Sequence, residues 1–294
     1  MGYLFMVLSA LLDGVKGCLS KPVSRHASTP GDSLLVNLCR TVLCTLFGLV
    51  FCLVTLGRMP AGQGGTLAIT VLSGVSTALF MVSWLMAIRT GAFMTVTVLG
   101  TASCVLPILL SALCFREALL LRHLIGAALL IVAAWLLCTY QTKTKGRFSA
   151  KQTVWVVCLF LSNGLSSFAQ KIFVHTVPGG VTADYNFFTY LFAAAAMLLF
   201  LPIARREGFG QPPRELLRKT GLLIVCLSLS LYFVDYFRTL AAVTVPAGIL
   251  YPTSSGLVLL INQGYSIVFL KERPGPRGWI GLLLSIAAMI CINL

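Results

Sequence analysis

Long apolar runs separated by short polar gaps cover this chain from end to end. A helix needs about 20 residues to cross a bilayer, at roughly 1.5 Å per residue, and these runs reach that length. They do not alternate between apolar and polar positions, which excludes a transmembrane β-barrel. The pattern predicts an all-α, polytopic membrane protein with ten transmembrane helices. These lie roughly at residues 2–22, 33–56, 67–88, 92–115, 118–140, 152–174, 184–204, 219–241, 245–270 and 277–294.

Composition supports the bilayer as the surroundings of the chain. Of the 294 residues, 58% are hydrophobic and only 10% are charged, against about 25% charged in an ordinary soluble domain. The formal net charge of +14 could suggest a nucleic-acid partner. However, the basic residues sit mainly in the gaps between apolar runs, and we find no zinc-finger spacing, Walker loop or arginine-rich tail. We therefore expect a lipid bilayer and a small-molecule substrate as partners, and no nucleic acid.

Metal and catalytic chemistry have little support in the sequence. The ten cysteines all fall inside apolar runs and form no C-x-x-C pair, which is typical of small buried residues. The three histidines are scattered near loops. Paired catalytic carboxylates, a histidine cluster and a nucleophile motif are all missing. We expect no metal, no cofactor and no enzymatic activity.

Two halves of the chain resemble each other. The segment from Ala10 to Lys21 matches the segment from Phe160 to Lys171 at an offset of 150, and Phe115-Arg-Glu117 matches Leu270-Lys-Glu272 at an offset of 155. Each half therefore holds five predicted helices. An odd number of crossings places the two copies in opposite orientations, which is the inverted-repeat plan of secondary transporters. The predicted units are 1–140, a basic linker at 141–151, and 152–294.

The end of each repeat carries a resemblance to a known family. Residues 115–134 read FREALLLRHLIGAALLIVAA, and residues 270–288 read LKERPGPRGWIGLLLSIAA. Both resemble the end of an EamA repeat, of the drug/metabolite transporter superfamily. Pro107, ten residues before Glu117, also fits the pattern of an EamA repeat. In the second half, the equivalent position, ten residues before Glu272, is occupied by Asn262. The resemblance covers essentially the whole chain. It implies a basket of ten helices around a central cavity that moves small metabolites by alternating access.

Polar side chains form stripes at helical spacing inside five of the predicted spans. A charge near the bilayer centre costs at least about 2.5–3.5 kcal/mol, so such residues face a partner or a wet cavity. We predict that the stripes converge on a substrate site. Asp13 and Asp235 are also candidates for carrying a coupling proton. The predicted substrate-binding residues are Asp13, Lys16, Asn37, Arg40, Asn163, Tyr232, Asp235, Arg238 and Asn262.

Structural roles compete with substrate contact at these positions. Asp13 with Lys16, and Asp235 with Arg238, could form static ion pairs, because each pair is three residues apart on one helical face. Arg40 has no acid in its own span, so it needs a partner on another helix or a substrate anion. For a second group of residues the expected roles are structural. Lys171 can snorkel to the surface, Glu117 and Glu272 can cap helix starts, and Trp84, Tyr232, Tyr236 and Tyr251 can line a pocket or stand at an interface.

The balance of charge inside the spans suggests a substrate class. Two acids, Asp13 and Asp235, face three bases, Lys16, Arg40 and Arg238. This disfavours lipophilic cations and favours a carboxylate-bearing solute, which arginine can bind in a bidentate manner. An amino acid could use an arginine for its carboxylate and an aspartate for its ammonium. The alternatives are a sugar or nucleotide-sugar carrier of the same superfamily, a non-transporting membrane scaffold, or a membrane enzyme.

The distribution of basic residues predicts the orientation. Basic loops stay on the cytoplasmic side. We number each loop by the predicted helix that it follows. The even-numbered loops carry only three basic residues, Arg58, Arg116 and Arg122, whereas the odd-numbered loops carry fifteen. We therefore expect both termini outside. The short connections favour the plasma (cell inner) membrane of a bacterium. The fifteen basic residues are Lys21, Arg25, Arg89, Lys143, Lys145, Arg147, Lys151, Arg205, Arg206, Arg214, Arg218, Lys219, Lys271, Arg273 and Arg277.

Overall fold

The computed structural model describes most of the chain, and every regular element it describes is an α-helix. Within the described residues, seven helical segments are long and apolar enough to cross a membrane. The protein is therefore a multi-pass, all-helical membrane protein. The described residues are 1–62, 64–117, 121–122, 125–126, 128–133, 135–136, 149–273 and 275–293.

The helices follow the predicted apolar runs closely. They are α1 (Gly2–His26), α2 (Pro30–Leu56), α3 (Gly64–Thr90), α4 (Phe93–Ala102), α5 (Val105–Phe115), α6 (Ala150–Thr176), α7 (Thr182–Glu207), α8 (Pro213–Thr244), α9 (Ala247–Val268) and α10 (Pro276–Asn293). The described residues between 121 and 136 are also helical. The rest of the predicted run 118–140, and the linker up to residue 148, lie outside the described residues.

The predicted helix at 92–115 is one membrane span but two helices. A turn at Ser103 and Cys104 separates α4 from α5. Pro107 explains the break, because a proline has no N–H to donate to the carbonyl of Ser103. The N–H of Leu106 donates to that carbonyl instead, at 3.0 Å, which tightens the turn.

Two of the long helices begin with an N-terminal capping box. Thr29 and Asp32 form a reciprocal capping box at the start of α2, and Ser149 and Gln152 form one at the start of α6. Each box satisfies backbone N–H groups that have no partner within the helix. These caps fix where two of the long helices begin.

Helices from the first half of the chain pack mainly against helices from the second half. The most extensive contacts join α1 with α8, α3 with α6, α2 with α7, and α3 with α7. α1 also packs on α9, and α6 packs on α5. The two halves therefore interlock, and the space between them lies at the centre of the molecule.

Candidate functional site

A polar cavity lies between the helices, with a volume of about 80 Å³. That is room for several water molecules, since one needs about 10–15 Å³. Its walls come from α1, α3, α4, α6, α8 and α9, with Cys104 at the turn after α4, and combine charged, amide, hydroxyl and aromatic side chains. Among the lining residues are Asp13, Lys16, Thr77, Phe80, Trp84, Thr97, Cys104, Asn163, Gln170, Asp235, Arg238, Tyr251, Ser254 and Asn262.

One acid in this cavity is held by two cations. The carboxylate of Asp13 accepts from Lys16 Nζ at 2.6 Å and from Arg238 Nη2 at 2.5 Å. Lys16 and Asp13 are one helical turn apart on α1, whereas Arg238 reaches across from α8. The expected Asp13–Lys16 pair is therefore present, and Arg238 pairs with Asp13 instead of with Asp235. A carboxylate with two bound cations leaves a surplus of positive charge beside it.

The second acid is held by a hydroxyl. The Tyr190 hydroxyl donates to Asp235 Oδ2 at 2.5 Å. Within the described part of the chain, Asp235 forms no ion pair. Asp235 lines the cavity and is only partly buried. Asp235 is thus the acid that remains open to a cationic group entering the cavity.

Two further lining side chains have polar atoms without a partner. Gln170 Oε1 and Ser254 Oγ are buried and have no hydrogen-bond partner in the described structure. Leaving such atoms unsatisfied costs about 1–3 kcal/mol each. A bound solute or water in the cavity would relieve that cost, and this marks the cavity as a site for polar molecules.

The two predicted asparagines hold the cavity walls together. Asn163 Nδ2 on α6 donates to the Gly100 carbonyl at 3.2 Å and to Ser103 Oγ at 2.7 Å, next to the turn between α4 and α5. Asn262 on α9 lies against Gly17, where an added Cβ would come within 2.4 Å of its Oδ1. Asn262 Oδ1 also accepts from Cys18 Sγ on α1 at 3.7 Å, and both asparagines line the cavity.

Six of the nine predicted site residues line the cavity, and three do not. Asp13, Lys16, Asn163, Asp235, Arg238 and Asn262 line it. Asn37, Arg40 and Tyr232 are not among the lining residues.

Arg40 belongs to a buried network of α2. Its Nη1 donates to Asn37 Oδ1 at 2.8 Å, and Asn37 Nδ2 donates to the Met81 carbonyl on α3 at 2.9 Å. Arg40 is 2% exposed and its Nε has no partner in the described structure. Arg40 therefore does not contribute to the formal charge of the cavity lining. The four lining charges are Asp13, Lys16, Asp235 and Arg238, and their formal sum is zero.

Tyr232 belongs to an aromatic cluster between α2 and α8. Its ring lies near those of Phe51, Tyr190 and Tyr236. Tyr236 also contacts Phe51 and is not among the cavity residues. Of the four aromatic residues left open by sequence, Trp84 and Tyr251 line the cavity.

The sequence interpretation missed the contributions of α3 and α4. Thr77 and Phe80 on α3, and Thr97 on α4, line the cavity. The signal on α3 was a stripe at helical spacing, formed by Thr66, Thr70, Ser73 and Thr77. Tyr190 was also missed. It stands next to Thr189 and one helical turn after Asn186, and these polar neighbours inside an apolar helix are the local signal it gives.

Comparisons with known proteins agree with this architecture. The model of the EamA-like transporter family matches residues 1–139 and again residues 151–294. A solved structure described only as "Crystal structure of protein" superimposes with a TM-score of 0.74. It shares 15% sequence identity, and the match covers 99% of this chain and 96% of that one. At that identity the likeness shows the fold alone. Among curated proteins, none matches this sequence.

The family model covers nearly the whole chain in two tandem regions, and the fold is helical and multi-pass. The chain therefore belongs to the EamA-like transporter family, within the drug/metabolite transporter superfamily.

Proposed function

We propose that this protein carries small zwitterionic solutes of the amino-acid type across the membrane, through the central cavity. One observation carries the proposal. Asp13 is shared by two cations, while Asp235, in the same cavity, is free of ion pairs within the described structure. The cavity thus has an electropositive region beside Lys16 and Arg238 and an available acid at Asp235.

A zwitterion suits this arrangement better than a simple ion does. Its carboxylate would bind beside Arg238, whose guanidinium can bind in a bidentate manner, and its ammonium would bind to Asp235. The formal charge of the cavity is already balanced, so a solute with no net charge adds no uncompensated charge to a buried site. A lipophilic cation would find Asp235 but would also meet Lys16 and Arg238.

The competing sugar and nucleotide-sugar reading has weaker support. Trp84 and Tyr251 could stack on a sugar ring, and the lining amides could bind hydroxyl groups. However, a neutral sugar has no cationic group for Asp235 and no anionic group for the electropositive region beside Lys16 and Arg238. The small cavity of this conformation also favours a compact solute over a nucleotide-sugar.

The transport cycle we propose is alternating access by two inverted five-helix repeats. Equivalent contacts support it, since α1 packs on α8 in the same way that its counterpart α6 packs on α3. Such exchanged packing is what an in-plane pseudo-two-fold axis would produce. In this scheme, the units 1–140 and 152–294 move against each other around the fixed site.

Asp235 is also our candidate for the coupling group. A proton and a substrate ammonium would compete for the same carboxylate, which offers a simple way to couple their movements. Asp13 is less suited to this role because two cations hold its charge. We further propose that the protein resides in the plasma (inner) membrane with both termini outside.

Transport assays with the purified protein in liposomes test this function. Uptake of a labelled amino acid mixture by counterflow should be clear for the wild type and at least about tenfold lower for Asp235→Asn. Glu215→Gln is the matched control, because Glu215 forms an exposed pair with Lys219 at the surface. Equal uptake by wild type and Asp235→Asn would contradict the proposal.

A further inference from the structure

Two antiparallel spans of the cavity wall are joined at one end by Glu272. This glutamate follows α9, and its Oε1 accepts from the Phe93 N–H at 3.0 Å while Oε2 accepts from the Met94 N–H at 3.0 Å. Oε2 also accepts from the Ser266 hydroxyl at 2.7 Å. Glu272 thus caps the start of α4, in the other half of the chain, and not a helix of its own.

The other end of the same two spans is joined by Glu117. This glutamate follows α5, and its Oε2 accepts from the Ala247 N–H at 3.2 Å, at the start of α9. Its Oε1 lies 3.1 Å from Lys171 Nζ. Lys171 is buried and also donates to the carbonyls of Ala242 and Val245, so it does not snorkel to the surface.

Both glutamates are presented by the same unusual backbone turn. Arg116 has φ of 54° and Lys271 has φ of 56°, and no other non-glycine residue in the described ranges has a positive φ. A side chain in this left-handed region costs roughly 1–2 kcal/mol. The strain occurs twice, at equivalent places of the two repeats, and each time it aims a glutamate at the opposite repeat.

The two glutamates lie at opposite ends of one candidate membrane span. Phe93 and Phe115 are the two ends of one candidate membrane span. Glu272 binds the first end, and Glu117 directly follows the second. Between them, α4 and α9 contribute Thr97, Ser254 and other cavity-lining residues. The cavity wall is therefore fastened once at each surface of the membrane.

We infer that Glu117 and Glu272 are the gate residues of the transporter, each holding the cavity closed toward one side of the membrane. Both contacts are made in this conformation, and release of one would let the ends of the two spans separate at that surface only. This inference rests on the proposed function, because a gate has a role only where a solute crosses. The two gates differ in their contacts, since Glu272 accepts three hydrogen bonds and Glu117 accepts one backbone hydrogen bond and one ion pair.

Cys104 is a native reporter for opening of the cavity. It lines the cavity, is 4% exposed, and lies eleven residues from Phe93 and thirteen from Glu117 along the same span. A membrane-impermeant thiol reagent would be applied to intact cells and to inverted vesicles. Labelling of Cys104 would be read by peptide mass spectrometry, which separates it from the other cysteines.

Side-specific labelling is the expected result. In Glu272→Ala, the rate at Cys104 should rise about tenfold from one face only, and in Glu117→Ala it should rise about tenfold from the other face. That factor corresponds to the loss of one charge-assisted contact. Glu215→Ala should leave the slow wild-type rate unchanged from both faces.

A merely structural role would give a different pattern. If either variant opened the cavity to both faces, or both variants opened it to the same face, or Cys104 stayed unlabelled throughout, the gates would not be these residues. Glu272→Asp and Glu117→Asp retain the charge and serve if an alanine variant fails to fold, with a smaller rise from the same faces expected. The assay uses no substrate, so its failure leaves the transport result standing.

Discussion

The same residue type has two different roles in this cavity, and the difference comes from its neighbours. Asp13 binds Lys16 and Arg238, whereas Asp235 accepts a hydrogen bond from Tyr190. Removing the charge of Asp13 would leave two buried cations without their partner, while removing that of Asp235 would leave none. The two aspartates should therefore separate stability from transport.

At the residue scale, we expect Asp13→Asn to lower the free energy of unfolding by about 3 kcal/mol, as for breaking a buried ion pair. Asp235→Asn should change it by less than about 1 kcal/mol, because an amide oxygen can still accept from Tyr190. Thermal unfolding of the purified variants in detergent measures both. A larger loss of stability in Asp235→Asn than in Asp13→Asn would show that the roles are reversed.

Sequence spacing predicted part of this site in advance. Asp13 and Lys16 share a helical face, so their pairing could be read from the sequence. The contact from Arg238 to Asp13 joins residues 225 positions apart, and no local pattern contains that information. For the same reason, no local pattern shows that Arg40 donates to Asn37 on its own helix, or that Arg40 is not among the cavity-lining residues.

At the scale of elements, the close approach of α3 and α7 depends on one glycine. A Cβ on Gly74 would lie 2.7 Å from the Thr189 carbonyl oxygen and 2.8 Å from the Ala193 nitrogen. Both are backbone atoms, which cannot move aside as a flexible side chain can. The two helices would have to separate to make room for a methyl group.

We expect Gly74→Ala to lower the free energy of unfolding by about 1–3 kcal/mol, the usual cost of overpacking. Gly221→Ala on α8 is the matched control, since nothing lies within 4 Å of a Cβ there. It should be neutral or stabilising by about 0.5–1 kcal/mol, because alanine favours a helix. The melting temperatures of the two variants test this difference. Equal melting temperatures for Gly74→Ala and Gly221→Ala would contradict a close contact between α3 and α7 at Gly74.

The elements themselves were largely predictable, and their contacts were not. Apolar run length placed the helices, but Pro107 divides one predicted helix into α4 and α5. Glu117 and Glu272 were expected to cap helix starts, and they do, but each caps a helix of the other half. A capping preference is a local property, whereas the choice of helix depends on how the halves pack.

At the scale of the whole molecule, two tandem copies of the family pattern were visible in the sequence, and the family model matches both. The Phe115-Arg-Glu117 and Leu270-Lys-Glu272 segments carried the resemblance, while the inverted orientation of the two copies remains a prediction. The cavity was not visible, because it forms only where α1, α3, α4, α6, α8 and α9 meet. The formal charge of the cavity is zero because Arg40 is not one of its lining residues. That placement depends on the tertiary structure and not on the local sequence.

Orientation in the membrane is a prediction at this scale. The excess of basic residues in the odd-numbered loops, such as Lys271 and Arg273, predicts both termini outside. A reporter enzyme fused after the C-terminus and active only in the cytoplasm should be silent. A periplasmically active reporter at the same position is the control and should give signal. Activity of the cytoplasmic reporter would overturn the orientation.

The most direct test of the central claim is a thermal-shift measurement of ligand binding to the purified protein. Amino acids, other carboxylates, sugars, nucleotides and lipophilic cations would be compared. A ligand at about 100 times its Kd stabilises a protein by roughly 2.7 kcal/mol, which is readily measured. We predict that an amino acid raises the melting temperature of the wild type, and that Asp235→Asn and Arg238→Gln abolish the rise relative to their own ligand-free values. A rise with only sugars or lipophilic cations, or a rise that persists in both variants, would contradict a zwitterion site built on Asp235 and Arg238.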